Sequence, residues 1–386
     1  MALPAQFILT VLCRRHARSF VTAAQPKIDH VEPLQSFRTN ETNPSNHTEK
    51  YLSRFYTVPS EIVNHTFKFD GIPKSFLKQI KTFKECSIMI RKPAVEIISY
   101  LNQTDYSKSV NKYILYGKTG AGKSLTLIHI IHYAVENKFI LVHVPSPSQW
   151  FKFPKEVANS TFMEGYIDLP VDAGVWLMQF KHKNLELLKA LDLRISKDYV
   201  WNQRERNDKD STLLGLIEFG ITRIKYACNV INILMQELKI NCIAGKCKAM
   251  VVIDGYNAFM SNVTMVKDEN KKMVSPRKIT LTTAFLDITN YDWCNGSIVL
   301  TVDCYANKER RDSNLPRYLL GKEGFEFVDP YLPVAVEDFT NDEFEAMMDY
   351  YKDRKWVREI SVEGQQELQM LSNGNPYTLM DLCKSL

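Results

Sequence analysis

The 386-residue chain lacks two features that would place it in common classes of protein. It has no apolar run of the roughly 18 residues that a membrane-spanning helix requires, so we predict no membrane span. Its eight cysteines include no C-x-x-C pair and no Cys/His set with zinc-site spacing. We therefore expect scattered reduced thiols and no structural zinc.

Acidic residues are absent from the first 28 positions. Four basic residues precede the first acidic residue, Asp29, and these are Arg14, Arg15, Arg18 and Lys27. An apolar patch lies before most of this positive charge, whereas a secretory signal has the opposite order. The composition is typical of a mitochondrial presequence, which we place at residues 1–28.

Excess charge of either sign is also small. The formal charge is +5, and removing the four basic residues of the presequence from the 49 in the chain leaves 45, against 44 acidic residues. A mature chain that is close to neutral gives little support to broad nucleic-acid binding. Local basic runs at 181–183 and 352–355 are more consistent with solvated faces than with phosphate contacts.

One octapeptide fits the pattern G-x-x-x-x-G-K-[ST] at every fixed position. Its residues are Gly117, Lys118, Thr119, Gly120, Ala121, Gly122, Lys123 and Ser124. Glycines permit a tight loop whose backbone N–H groups surround a phosphate chain. Lys123 would reach the β- and γ-phosphates, and the Ser124 hydroxyl would ligate Mg²⁺.

The flanking sequence has the context that a phosphate loop (P-loop) requires. A predicted strand at 112–116 precedes the loop, and an apolar segment with helical spacing follows at 125–135. Further strands are predicted at 139–144, 249–254, 297–302 and 333–336, with a long and largely helical stretch from 150 to about 239. Within that stretch, Ser211 is predicted to cap a helix that continues through Ile231.

Strands separated by helices predict an α/β fold with a parallel sheet, whose ligands bind at the carboxyl ends of the strands. Asp254 ends the third predicted strand, where P-loop NTPases place an Asp that holds Mg²⁺. An ordinary strand-end Asp that starts a turn is the alternative. We favour the metal role because the glycine loop lies upstream, and we expect Ser124 and Asp254 to form the metal site.

Residues that usually support hydrolysis or select guanine are missing. Gly255 follows Asp254 where related ATPases carry a Glu, and Asn257 can orient water but cannot act as a base. The N-K-x-D motif is absent, since Asn307-Lys308-Glu309 is followed by Arg310. Candidate arginine fingers are Arg310, Arg311 and Arg317. We therefore predict nucleotide binding with weak or no NTPase activity.

Several longer stretches resemble a known family. The most specific are Tyr199-Val200-Trp201-Asn202 and Leu320-Gly321-Lys322-Glu323-Gly324-Phe325. They resemble the death-associated-protein family, a nucleotide-binding protein of the mitochondrial small ribosomal subunit. The resemblance runs from about residue 55 to the C-terminus. It implies an AAA-like core with a helical C-terminal lid, guanine nucleotide at Gly117–Ser124, and contacts with ribosomal RNA and proteins where the small subunit faces the large one.

These expectations divide the chain into four parts: a presequence at 1–28, an extended polar arm at 29–50, a P-loop NTPase core with a helical insertion at 51–338, and a helical lid at 339–386. A mitochondrial ribosomal protein that holds GTP or GDP with Mg²⁺ is the first hypothesis. A nucleotide-dependent signalling switch or adaptor in apoptosis is the alternative, and an energy-coupling AAA machine is disfavoured by Gly255.

The sequence leaves the choice between GTP and ATP open. Base selection is expected to depend on contacts before the loop and in the lid. Candidate residues are Arg91, Pro93 and the turn at 373–376.

Overall fold

A computed structural model describes residues 37–307, 313–358 and 360–384. The predicted presequence and the finger candidates Arg310 and Arg311 lie outside these residues. A five-stranded sheet forms the centre of the fold. Its strands are β1 (Asn111–Tyr116), β2 (Ile140–Val144), β3 (Ala249–Ile253), β4 (Gly296–Thr301) and β5 (Leu332–Ala335).

The spatial order of the strands is β5-β1-β4-β3-β2, and every neighbouring pair is parallel. β2, β3 and β4 are buried along their whole length, as expected for strands covered by helices on both faces. The predicted α/β fold with a parallel sheet is therefore confirmed. Because β4 lies between β1 and β3, the loop after β1 and the residue after β3 face each other across the end of β4.

Helices connect the strands and cover both faces of the sheet. The described helices are α1 (Ser60–Thr66), α2 (Lys74–Phe83), α3 (Lys92–Gln103), α4 (Lys123–Glu136), α5 (Ser148–Lys152), α6 (Pro170–Leu191), α7 (Leu213–Thr222), α8 (Ala227–Ile243), α9 (Thr280–Asp287), α10 (Pro316–Val328), α11 (Asn341–Asp353), α12 (Val362–Ser372) and α13 (Pro376–Cys383). Among the described residues, no helix is long and apolar enough to cross a membrane.

Short antiparallel ladders lie outside the main sheet. They pair Phe55–Thr57 with Ser87–Met89, Ala158–Asn159 with Ile167–Asp168, and Tyr199–Val200 with Arg206–Asn207. The last two interrupt the region predicted to be largely helical. That region also contains the 3₁₀ turn at Ile224–Tyr226, which separates α7 from α8.

The predicted cap at Ser211 is wrong by one residue. Thr212 is the N-cap of α7, and its hydroxyl accepts a hydrogen bond from the backbone N–H of Gly215 at 3.1 Å. The predicted helix also ends earlier than Ile231, because the chain turns at Arg223. Apolar periodicity continues across that turn since both helices bury their faces in the same core, and periodicity alone does not reveal the break.

The C-terminal helices pack on the N-terminal part of the described chain. Phe344, Tyr350 and Leu379 share a buried cluster with Phe37 and Phe55. The Phe55 and Tyr350 rings stack with their centroids 4.3 Å apart. We call the helices at 341–383 the lid. The lid therefore packs on residues that precede the phosphate loop in the chain, from Phe37 to Met89.

Candidate nucleotide-binding site

The glycine-rich loop connects β1 to α4, as the sequence predicts. Gly117, Gly120 and Gly122 all have positive φ, at 147°, 84° and 105°. A Cβ at Gly117 would collide with the carbonyl oxygen of Val336, which follows β5. The loop therefore requires glycine both for its backbone conformation and for its contact with the neighbouring strand.

Lys123 begins α4 with its ammonium group turned back into the loop. Its Nζ donates to the carbonyl oxygens of Gly117 at 2.8 Å and Lys118 at 2.9 Å. It also pairs with the Asp303 carboxylate at 2.9 Å, and only 6% of the Lys123 side chain is exposed. The cation is thus held in the concavity of the loop, where it already binds one anionic group.

Ser124 and Asp254 meet across the sheet edge. The Ser124 hydroxyl donates to Asp254 Oδ2 at 2.6 Å, and the Thr301 hydroxyl donates to Oδ1 at 2.5 Å. Removal of water around the Asp254 carboxyl group raises its pKa, while these two hydrogen bonds oppose the rise. Sequence reasoning missed Thr301, although its place at the end of β4 is the signal that would have found it.

The donor set fits a magnesium ion. Mg²⁺ prefers oxygen ligands and usually takes one or two from the protein, with the rest from phosphates and water. A hydroxyl and a carboxylate oxygen 2.6 Å apart, beside a phosphate loop, meet that requirement. A cation here would also favour the ionised form of Asp254, which burial disfavours.

Asn257 does not have the role that the sequence suggested. It is 1% exposed, its Nδ2 donates to the Asp303 carbonyl oxygen at 2.9 Å, and its Oδ1 accepts from the Asp303 N–H at 3.0 Å. Both ends of its amide group hold the backbone of the segment after β4. The residue therefore positions Asp303 against Lys123 and is not free to orient water.

Arg91 connects the phosphate loop to the lid. Its Nη1 donates to the Ala121 carbonyl oxygen at 2.6 Å, and its Nε and Nη2 both bind the Glu343 carboxylate of α11 at 2.9 Å. The guanidinium carbon also lies 4.9 Å from the centre of the Phe339 ring. Arg91 is thus fully engaged by protein groups, which argues against its predicted role in base selection.

The turn before α13 forms a second connection from the lid. Asn375 Nδ2 donates to the Thr119 carbonyl oxygen and to Asp338 Oδ1, both at 3.1 Å. The Tyr377 N–H donates to the Gly120 carbonyl oxygen at 3.2 Å. The Asn375 side chain also caps α13 by accepting from the N–H of Thr378 at 3.2 Å. One residue therefore both starts the helix and attaches it to the loop.

A cavity of about 250 Å³ lies between the loop, α2 and the lid. Lys123, Ser124 and Asp303 line one end of it. The remaining wall is mostly apolar and includes Phe76, Met89, Leu125, Phe339, Pro376 and Tyr377. The finger candidate Arg317 is exposed on α10 and is not part of this wall. Charged groups at one end and apolar groups along the rest suit a ligand with an anionic tail and a flat apolar body.

The family model for mitochondrial ribosomal death-associated protein 3 matches residues 88–382, a span that holds the loop, Asp254 and all but the last residue of the lid. The chain belongs to this family. The resemblance predicted from the sequence is confirmed, and membership of a mitochondrial family agrees with the mitochondrial location predicted from the presequence.

Two curated relatives match nearly the whole chain. It is 35% identical to small ribosomal subunit protein mS29 of Bos taurus over 353 residues, which is 90% of this chain and 88% of that protein. It is 33% identical to the Mus musculus protein of the same name over 358 residues, covering 92% and 90%. A solved Walker-type ATPase of Pyrococcus abyssi matches 76% of this chain and 65% of its own at 14% identity, with a TM-score of 0.38.

Proposed function

We propose that the chain binds a purine nucleotide, GTP or GDP, together with Mg²⁺, as a component of the mitochondrial small ribosomal subunit. The observation that carries the nucleotide proposal is the convergence of Lys123, Ser124 and Asp254 beside the cavity under the lid. In the bound state, the loop N–H groups and Lys123 hold the phosphates, and Ser124 and Asp254 hold the cation. ATP is the alternative nucleotide.

Slow or absent hydrolysis is part of the proposal. Asp303 is the one carboxylate among the described residues that line the cavity, and it is paired with Lys123. Both ends of the Asn257 amide bind backbone groups. Since no free carboxylate among the described residues lines the cavity to activate water, the nucleotide acts as a structural element that joins loop and lid.

Assembly into the ribosome is supported by the family and by the names of the relatives. We infer that the chain contacts small-subunit proteins and ribosomal RNA, faces the large subunit, and supports mitochondrial translation. The basic run at 181–183 is a poor candidate for an RNA contact. Lys183 is 8% exposed and its Nζ lies 2.9 Å from His143 Nδ1, while Lys181 pairs with Glu218.

Sedimentation of a gentle mitochondrial lysate tests the assignment. We expect the chain to migrate with small-subunit ribosomal RNA and to remain there at moderate salt. Migration as a free species of about 45 kDa would instead favour the signalling switch or apoptotic adaptor. Nucleotide extracted from the sedimented particle and separated by chromatography would then distinguish guanine from adenine.

A further inference from the structure

Two cysteine side chains lie in contact at the end of the sheet opposite to the phosphate loop. The Sγ atoms of Cys242 and Cys247 are 3.5 Å apart, and both residues are free thiols. Cys242 belongs to the last turn of α8, and Cys247 lies two positions before the first residue of β3. The proposed function uses neither residue.

The backbone of the turn creates this contact. Gly245, at a φ of 70°, ends α8 by donating its N–H to the Cys242 carbonyl oxygen at 2.9 Å. The N–H of Lys246 then donates to the Asn241 carbonyl oxygen at 3.0 Å. This pair of bonds is a Schellman motif, which reverses the chain over the last helical turn. The residue after Lys246 is thereby directed back onto Cys242.

A third hydrogen bond fixes the same turn from outside. Asn295, the residue before β4, donates its Nδ2 to the Cys242 carbonyl oxygen at 2.9 Å. Asn295 also accepts, through its backbone carbonyl oxygen, the N–H of Ala249 at 3.1 Å. The end of α8 and the start of β3 are therefore both hydrogen-bonded to Asn295. These bonds keep the two thiols at contact distance.

The two thiols have different environments. Cys247 is 6% exposed and stands between the exposed residues Lys246 and Lys248, whereas Cys242 is completely buried. The hydrogen bond from Cys242 and the nearby Lys246 charge lower the pKa of Cys247. The same hydrogen bond and burial raise the pKa of Cys242. A slightly exposed thiol of lowered pKa with a fully buried thiol behind it is the arrangement of a reactive and a resolving cysteine.

We propose that Cys242 and Cys247 form a peroxide-sensitive dithiol that closes to a reversible intramolecular disulfide. The Cys247 thiolate attacks one oxygen of hydrogen peroxide, forming an S–O bond while the O–O bond breaks and hydroxide leaves. The Cys242 sulfur then attacks the Cys247 sulfur, forming the S–S bond while the S–O bond breaks. The hydroxide released from peroxide takes up the proton that Cys247 lost, and the hydroxide released from the S–O bond takes up the proton of Cys242. Both therefore leave as water. Two thiols are oxidised by two electrons, and one peroxide is reduced to two waters.

The position of Lys246 between the two cysteines makes the product easy to detect. The reduced full-length protein is exposed to hydrogen peroxide, denatured with excess alkylating agent, and digested with trypsin. Cleavage after Lys246 and Lys248 separates the thiols, so a disulfide joins peptide 240–246 to dipeptide 247–248. We expect this linked pair, lighter by two hydrogen atoms than the separate peptides, and we expect dithiothreitol to release it.

Matched variants separate this reaction from general thiol oxidation. Cys294→Ser removes a thiol that interacts electrostatically with Cys242 and should leave the linked peptide unchanged. Cys242→Ser should abolish it and leave a sulfenic acid on Cys247 that dimedone traps. Complete alkylation of both cysteines in the wild-type protein, at peroxide concentrations that oxidise the partly exposed Cys304, would overturn the proposal. So would a disulfide from either thiol to Cys294.

Discussion

Arg91 and Glu343 form a two-point ion pair, both contacts at 2.9 Å, although 252 residues separate them in the sequence. Both side chains are about one-tenth exposed. Because the same guanidinium binds the Ala121 carbonyl oxygen, the pair joins the phosphate loop to the lid. The charge network that closes the cavity therefore includes the backbone of the phosphate loop.

Glu343→Gln should destabilise the protein by about 3 kcal/mol, because it leaves a buried guanidinium without its counter-charge. Urea unfolding followed by tryptophan fluorescence measures the loss. Glu345 lies on the exposed face of the same helix. Glu345→Gln is therefore the matched control, and we expect it to change the free energy of unfolding by no more than about 0.5 kcal/mol. Equal effects of the two substitutions would contradict the role given to the pair.

Lys123→Ala should weaken nucleotide binding by about tenfold to a hundredfold, since a charge-assisted hydrogen bond contributes roughly 1.5–3 kcal/mol. Calorimetric titration with GDP and Mg²⁺ is the measurement. Lys118→Ala removes a lysine of the same loop whose side chain is 59% exposed and paired with Asp338. We expect less than about a threefold effect from that control. Unchanged affinity in Lys123→Ala would place the phosphates elsewhere.

Asp254→Asn should abolish the dependence of nucleotide affinity on Mg²⁺ while leaving the fold intact. The amide keeps an oxygen that can accept from Ser124 or Thr301, and it carries no charge that burial would disfavour. Nucleotide affinity is measured in the presence of Mg²⁺ and in the presence of a chelator, for both the wild type and the variant. A Mg²⁺ effect that persists undiminished in Asp254→Asn would remove this residue from the metal site.

Gly120→Ala should cost more stability than Gly165→Ala, although both glycines have positive φ, at 84° and 74°. At Gly165 nothing lies within 4 Å of an added Cβ, so we expect only backbone strain of about 1–2 kcal/mol. At Gly120 the Cβ would lie 2.6 Å from Asn375 Oδ1 and 2.8 Å from Tyr377 Cβ. The greater loss of stability in Gly120→Ala should appear as faster proteolysis of the lid than in Gly165→Ala. Similar cleavage rates for the two variants would exclude a tight contact between loop and lid.

Acid should destabilise the protein through three histidines that lie behind the loop. His47 Nδ1 lies 2.8 Å from His129 Nε2, and His132 Nδ1 lies 3.3 Å from the Tyr56 hydroxyl. Burial lowers the pKa of all three, that of His132 to about 4. The unfolded chain therefore binds protons that the folded chain excludes, so stability is full above about pH 6.5 and falls as the pH drops towards 4.

Between pH 7 and pH 5.5 the protonation of His132 in the unfolded chain should remove about 1 kcal/mol of stability, and His47 and His129 act in the same direction. Urea unfolding at the two pH values measures the difference. His132→Asn keeps a polar group for Tyr56 but does not titrate, so its pH dependence should be smaller. His65→Asn, on α1 and outside the cluster, is the control. A wild-type stability that does not change over this range would show that the cluster accepts protons without cost.

Much of the fold follows from local patterns. The five strands were predictable because each is a short apolar run bounded by turn residues, and helices cover both faces of the sheet. Helix boundaries near position 211 were less predictable, because the apolar periodicity runs on from α7 into α8. Both helices bury their apolar faces, and the turn between them does not interrupt the pattern. Local propensity does not distinguish a straight helix from two helices that share a core.

The sequence by itself determined the phosphate loop, its flanking strand and helix, and the pairing of Ser124 with Asp254. Each of these depends on short-range spacing, or on the rule that parallel strands present their carboxyl ends together. Only the tertiary structure decided that Thr301 binds Asp254, that Asp303 pairs with Lys123, and that Arg91 and Asn375 close the site. These contacts depend on β4 lying between β1 and β3, and on the lid docking on the N-terminal segment. Strand order and docking are set by the summed packing of surfaces distant in the chain, which no local pattern encodes.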